Sequence, residues 1–175
     1  MTGEELARRP DLNPCELVNG RVVPMSPAGH IQGEFESRLD LELGLYARKT
    51  GSGRVLVGEV GIYTSRDPDT VRGADIVFIS KERHARRGPS VFLDVAPELV
   101  VEILSPEDRP GQVNDKIREY LAAGVDRVWF VNPRRRSVLV YRSSGQMEAL
   151  EVGDILRDEE ILPGFILPLS ELFQD

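Results

Sequence analysis

Two segments of this chain read as buried strands, and each carries a carboxylate where a strand core should be apolar. Asp75 stands in Ala74-Asp75-Ile76-Val77-Phe78-Ile79, and Glu102 interrupts Leu99-Val100-Val101-Glu102-Ile103-Leu104, the most apolar strand of the chain. Burying an unpaired carboxylate costs several kcal/mol. A fold for this sequence must therefore give each acid a cation, a set of hydrogen-bond donors or a raised pKa. For either acid alone, an internal salt bridge to Arg or Lys is the plain answer. On neighbouring strands the two would converge on one spot, and paired oxygen ligands suit magnesium or manganese.

The bases are 19 Arg to three Lys, namely Lys49, Lys81 and Lys116. Lys116 lies about 60° from Val113 on a helical wheel, at the border of the stripe formed by Val113, Ile117, Tyr120 and Leu121. There it can lay its stem along a sheet and bring its ammonium to the carboxylates. The alternative is a surface lysine with a partly covered stem.

The surrounding pattern is mixed. Thr2 with Glu5 has the spacing of a capping box, and Asn19-Gly20 between two apolar runs predicts a hairpin over about 15–24. Ile31, Phe35, Leu39, Leu43 and Tyr46 recur at helical spacing, ended by Gly51 and Gly53. Strands are expected at 55–57, 60–63, 74–79, 99–104, 128–131 and 138–141, with a charged loop at 81–89. A helix capped by Asn114 should run to Ala123. The remainder reads as a short hairpin, a Pro163-Gly164 turn and a helical turn capped by Ser170. This is an α/β (α+β) chain, a mixed sheet flanked by helices, read as one domain with a core about 28–142.

The net charge of −7 argues at first against a nucleic-acid partner. Yet residues 148–175 hold eight acids and one base, Arg157, while residues 1–147 hold 21 of each. The body of the chain is neutral, and the excess forms a C-terminal acidic extension. Bases gather in Lys81-Glu82-Arg83-His84-Ala85-Arg86-Arg87 and in Arg134-Arg135-Arg136. The plain reading is two solvated turns, His84 included. The functional one is phosphate contact by Arg83, Arg86, Arg87, Arg134, Arg135 and Arg136. Aromatics that would stack bases are absent from both runs. Cys15 is the one cysteine and reads as a small buried hydrophobe, so no disulfide forms within the chain. No apolar run approaches the ~18 residues of a membrane span, and residues 1–9 lack a signal core, so the expected compartment is the cytoplasm.

Several ordered blocks together resemble one family. They are Val71 to Arg83, Ala96 to Pro106, Lys116 with Glu119-Tyr120 and Gly124, Glu16 to Gly20, Met25-Ser26-Pro27 with His30, and Leu162 to Phe165 with Leu169 and Leu172-Phe173. The chain resembles the Uma-two family, restriction-endonuclease-like proteins of the PD-(D/E)XK nuclease superfamily. The resemblance implies a restriction-endonuclease-like sheet with an N-terminal hairpin and a C-terminal strand extension. It implies that Asp75 and Glu102 are metal ligands, that Ile103 lends its carbonyl to the same metal, and that magnesium or manganese is the cofactor. Ala74 replaces the motif proline, and Leu104 stands at the motif lysine, whose role passes to Lys116. Glu16, His30, Ser105 and Tyr120 are implied accessory residues. The implied activity is endonucleolytic hydrolysis of phosphodiester bonds, with DNA as the expected partner and a homodimer or higher homo-oligomer as the assembly. Ile161, Phe165, Ile166, Leu169, Leu172 and Phe173 are interface candidates, or else they close the chain's own core. The missing motif lysine and modest basic surface favour an alternative, a non-catalytic nucleic-acid-binding or assembly module that keeps the fold.

Overall fold

A computed structural model describes residues 1–106 and 108–174. The chain opens with α1 (Gly3–Ala7), whose Thr2–Glu5 capping box is formed. The hairpin β1 (Cys15–Val18) and β2 (Arg21–Pro24) turns through Asn19 and Gly20, both with positive φ, as a tight turn matched to strand twist requires. Then follow α2 (His30–Thr50), β3 (Gly53–Ser65), β4 (Thr70–Ser80), α3 (Lys81–Ala85), β5 (Leu99–Ile103), α4 (Pro110–Ala122), β6 (Arg127–Asn132), β7 (Ser137–Arg142), β8 (Met147–Glu151), β9 (Ile155–Asp158), β10 (Leu162–Pro168) and α5 (Leu169–Leu172).

Among the described residues eight strands form one mixed sheet in the order β2-β1-β4-β5-β6-β7-β8, with β3 paired to β4. Strand β4 is its spine. One edge of β4 carries β3 along its length, and the other carries β1 at Val71 and β5 from Ile76 to Phe78. The stretch 72–75 lies between those two partners, and there side chains meet the β4 backbone. Glu16 accepts from Gly73 N (3.0 Å), and Tyr120 Oη lies 3.2 Å from Gly73 O. Buried backbone groups need partners, so this junction is a place where polar side chains must gather. Strands β5 and β6 are parallel, and α4 makes the crossover between them.

Each face of the sheet has a core. On one, Leu39, Leu43 and Ala47 of α2 pack with Ile76, Phe78, Val101 and Trp129, and β9, β10 and α5 complete the cover with Leu156, Phe165, Leu169 and Phe173. On the other, Ile117 and Tyr120 of α4 cover Val77, Val100 and Val128. Burying a side chain of Leu or Phe size contributes roughly 1.5–3 kcal/mol, so both helices are held by their apolar faces. Among the described residues no helix is long and apolar enough to cross a membrane.

Several expectations change. The two short strands at 55–57 and 60–63 are one strand, β3, broken by a bulge at Gly58-Glu59. The charged loop at 81–89 begins as α3, because Ser80 Oγ caps Arg83 N at 3.1 Å. His84, on this helix, is half-buried. Helix α4 starts at Pro110, four residues before Asn114, since proline suits a first helical turn. Pro163-Gly164 lies inside β10, in a two-stranded sheet where a missing donor is tolerated. The last helix is preceded by Pro168 and takes no cap from Ser170. Ile31 is exposed and Cys15 only half-buried. Phe165, Leu169, Leu172 and Phe173 close the chain's own core, leaving Ile166 exposed.

Candidate active site

Val100 and Glu102 share the β5 face under α4, and that alternation aims Glu102 at the helix. Glu102 Oε2 accepts from Lys116 Nζ at 2.9 Å and Oε1 accepts from Tyr120 Oη at 2.8 Å. Lys116 and Tyr120 are four apart, so one turn of α4 delivers both. Asp75 Oδ2 accepts from Ile103 N at 2.6 Å, which joins the two acids through adjacent residues of β5. Asp75 Oδ1 accepts from Gln32 Nε2 of α2 at 3.0 Å.

The hairpin supplies Glu16. Its Oε1 lies 3.2 Å from Lys116 Nζ, and its Oε2 accepts from Arg72 Nη1 at 2.8 Å. Arg72 also donates from Nε (2.6 Å) and Nη2 (2.9 Å) to both oxygens of Glu119, one turn beyond Lys116. A fork of this kind fixes orientation as well as charge. The chain Glu119–Arg72–Glu16–Lys116–Glu102 thus runs from helix to sheet to hairpin and back.

The charges are unequal. Burial works against Lys116, but Glu102 and Glu16 outweigh it and raise its pKa, so it stays protonated. Burial raises Glu102, and the Asp75 charge adds to that against the pull of Lys116. Burial also raises Asp75, opposed by the hydrogen bond from Ile103 N. Burial would raise Glu16 too, but the charges of Lys116 and Arg72 and the hydrogen bonds from Arg72 and Gly73 hold it below the usual carboxylate range. Glu59, on the β3 bulge, is pushed up to about 7 by burial and by Asp75. One lysine faces more carboxylate than it can neutralise.

That imbalance and the hard-oxygen donors suit a divalent cation. Among the described residues no group of three or more His, Cys, Asp or Glu side chains forms a metal cage. Asp75 and Glu102 would supply two ligands, with the remainder from main chain, water and substrate, as magnesium commonly accepts.

The structure brings together Asp75, Glu102, Ile103, Lys116, Tyr120 and Glu16. His30 stands exposed at the start of α2, two residues before Gln32. Ser105 lies just past β5, where its N donates to Asp108 Oδ2 at 2.7 Å. Arg134, Arg135 and Arg136 are exposed in the β6–β7 turn, at the sheet end that β5 and β6 share beyond Ile103 and Val131. Arg136 also donates to Phe173 O at 2.7 Å. Arg83 lies at the opposite end, ion-paired to Glu98 (3.2 Å) and Asp126 (2.6 Å) rather than solvated, while Arg86 and Arg87 are exposed beside it. Gln32, Arg72, Glu119 and Glu59 escaped sequence reasoning. The one available signal was the i, i+4 pair Gln32 and Glu36, whose carboxylate accepts from Gly58 N at 3.1 Å.

Comparison with protein families matches residues 4–170 to Uma2, described as "Putative restriction endonuclease". Among solved structures, the chain is similar to a crystal structure described as "a putative nuclease belonging to DUF820" from Anabaena variabilis. That likeness has a TM-score of 0.85 at 20% identity, and covers 99% of this chain and 97% of the other. No curated protein matches the chain.

Proposed function

The chain belongs to the Uma2 family, and on that premise we propose that it is a metal-dependent endonuclease that hydrolyses phosphodiester bonds in DNA. The observation that carries the reading is the pairing of buried Asp75 with the largely enclosed Glu102, which has a charged lysine 2.9 Å from one of its oxygens. Asp75 and Glu102 would hold a divalent cation, each acid oriented by a donor, Ile103 N or Tyr120 Oη. Such an ion would supply an activated water and offset charge on the phosphoryl oxygens. Lys116 has three N–H donors; one goes to Glu102, while Glu16 is ion-paired to the ammonium at 3.2 Å. A remaining N–H serves the attacking water or a phosphoryl oxygen. Arg134 and Arg135 supply backbone contacts at the same end of the sheet. A homodimer would place one site on each strand of a duplex, and sedimentation reads its mass.

The test is a cleavage panel of duplex DNA, single-stranded DNA and RNA with magnesium or manganese. The wild type is expected to cut DNA, and Glu102→Gln and Asp75→Asn to lose activity about a hundredfold or more while staying folded. Metal-dependent cleavage that survives Glu102→Gln unchanged would sink the proposal. Nucleic-acid binding with neither cleavage nor metal uptake would establish the non-catalytic module instead.

A further inference from the structure

Beside the carboxylates, between the N-terminal hairpin and the β3 bulge, lies a cleft of about 360 Å³. That is within the ~300–1,000 Å³ range of ligand clefts. Its floor is a pair of glycines, Gly61 and Gly73, directly opposite each other in the β3–β4 ladder. Glycine in a strand interior weakens the strand and marks close approach by another group. Here the reason is visible on both sides. A Cβ on Gly61 would run into the Phe92 ring, and a Cβ on Gly73 would stand 2.8 Å from Glu59 Oε2. The Phe92 ring thus covers Gly61 and the Glu59 carboxylate covers Gly73, and these two side chains face the cleft with Met25 and Pro14 on the hairpin side.

Phe92 is only half-buried, so part of its ring is available. Glu59 is held at φ 56°, a left-handed conformation uncommon for a residue with a side chain. Among the described residues no hydrogen-bond donor reaches its carboxylate. Gly73 is two residues before Asp75, about 6–7 Å along the strand. That spacing is on the scale of one nucleotide, which sets a base beside Phe92 and Glu59 when the phosphate lies at Asp75 and Glu102.

We infer that the cleft receives one unstacked nucleobase, stacked on Phe92, with Glu59 accepting from its exocyclic amino group. The inference rests on the nucleic-acid reading above and narrows it, since such a base comes from a single strand or a locally opened duplex. Aromatic faces stack any base, whereas a carboxylate selects bases that bear an amino group, as it does with cytosine N4.

The experiment measures binding in EDTA at low salt, by fluorescence anisotropy of labelled oligo-dC and oligo-dT. The proteins are the wild type, Phe92→Leu and Glu59→Gly, the last chosen because glycine accepts the backbone at that position. The wild type is expected to prefer oligo-dC several-fold. Phe92→Leu should weaken both oligomers roughly tenfold. Glu59→Gly should erase the preference, with binding of both oligomers otherwise rising together as one negative charge is removed. Wild-type affinities in both variants, no oligo-dC preference, or no single-strand binding by the wild type would each overturn the inference. Cleavage with unaltered variant affinities removes the cleft and leaves the nuclease reading standing. An intact base preference in a protein that cuts nothing does the reverse.

Discussion

Arg72 holds more of the site in place than any residue that the chemistry itself needs. It is 12% exposed and bridges Glu16 to Glu119, so it ties the hairpin to α4 across the sheet. Breaking a buried pair from one side costs about 3–5 kcal/mol. Arg72→Met should therefore lower unfolding free energy by about 3 kcal/mol in urea titrations, at the low end because Glu119 reaches water. Glu59 acts oppositely. Its pKa rises from 4.5 to about 7, so between those values the folded chain binds more protons than the unfolded one. Stability from this group is full below pH 4.5 and is lost as pH rises to about 7. Glu59→Gln should then stabilise the protein at pH 8 by about 1 kcal/mol and change little at pH 4. The full shift is discounted because the residue is exposed on its outer side. Equal gains at both pH values would contradict this. Asp75 and Glu102 were legible because charge inside an apolar strand violates the local pattern, and Lys116 because helical periodicity placed it. Arg72 and Gln32 were not, since nothing local distinguishes an arginine before a glycine or a glutamine in a first helical turn from surface residues.

At the scale of elements, the site is a consequence of how β4 shares its edge. Strands β1 and β5 meet that edge on either side of residues 72–75, and Glu16 and Tyr120 reach the β4 backbone between them. Asn19-Gly20 revealed the hairpin and helical spacing the long helix, but pairing across 50 residues of sequence leaves no local trace. The same holds for α3, a charged run made helical by one serine cap. It holds again for β10, where Pro163-Gly164 reads as a turn, but Pro163 O accepts from Tyr46 Oη at 3.1 Å within a strand. The sheet β9–β10 is tied to the main sheet by Asp158. It is 2% exposed, 2.5 Å from Arg127 Nε and 3.3 Å from Arg142 Nη1. Asp158→Ala leaves Arg127 inside with the exposed Glu160 carboxylate and the Asp126 carbonyl, and should cost about 3 kcal/mol. Chemical denaturation would show it, and a loss under 1 kcal/mol would mean that apolar packing alone holds the layer.

Over the whole molecule, the acidic C-terminal segment has a structural task. Asp158, Glu160 and Glu148 partner Arg127 and Arg142, and Leu156, Leu162, Phe165 and Leu169 seal the α2 face of the core. The excess negative charge is partly spent on these bridges, which lie away from the β6–β7 turn with its exposed Arg134 and Arg135. Removing residues 148–175 should therefore abolish cooperative thermal unfolding, read by circular dichroism, because the apolar surface beneath would be bared. A truncated chain that melts cooperatively would show the core to be closed without them. The central claim concerns the other end of the sheet, where Asp75 and Glu102 face more negative charge than Lys116 can offset. Crystals soaked in manganese and measured at the manganese absorption edge test it directly. The account predicts an anomalous peak bound by one oxygen from each acid, and its disappearance in Glu102→Gln. No peak at that position, or one that persists without the Glu102 carboxylate, would contradict it.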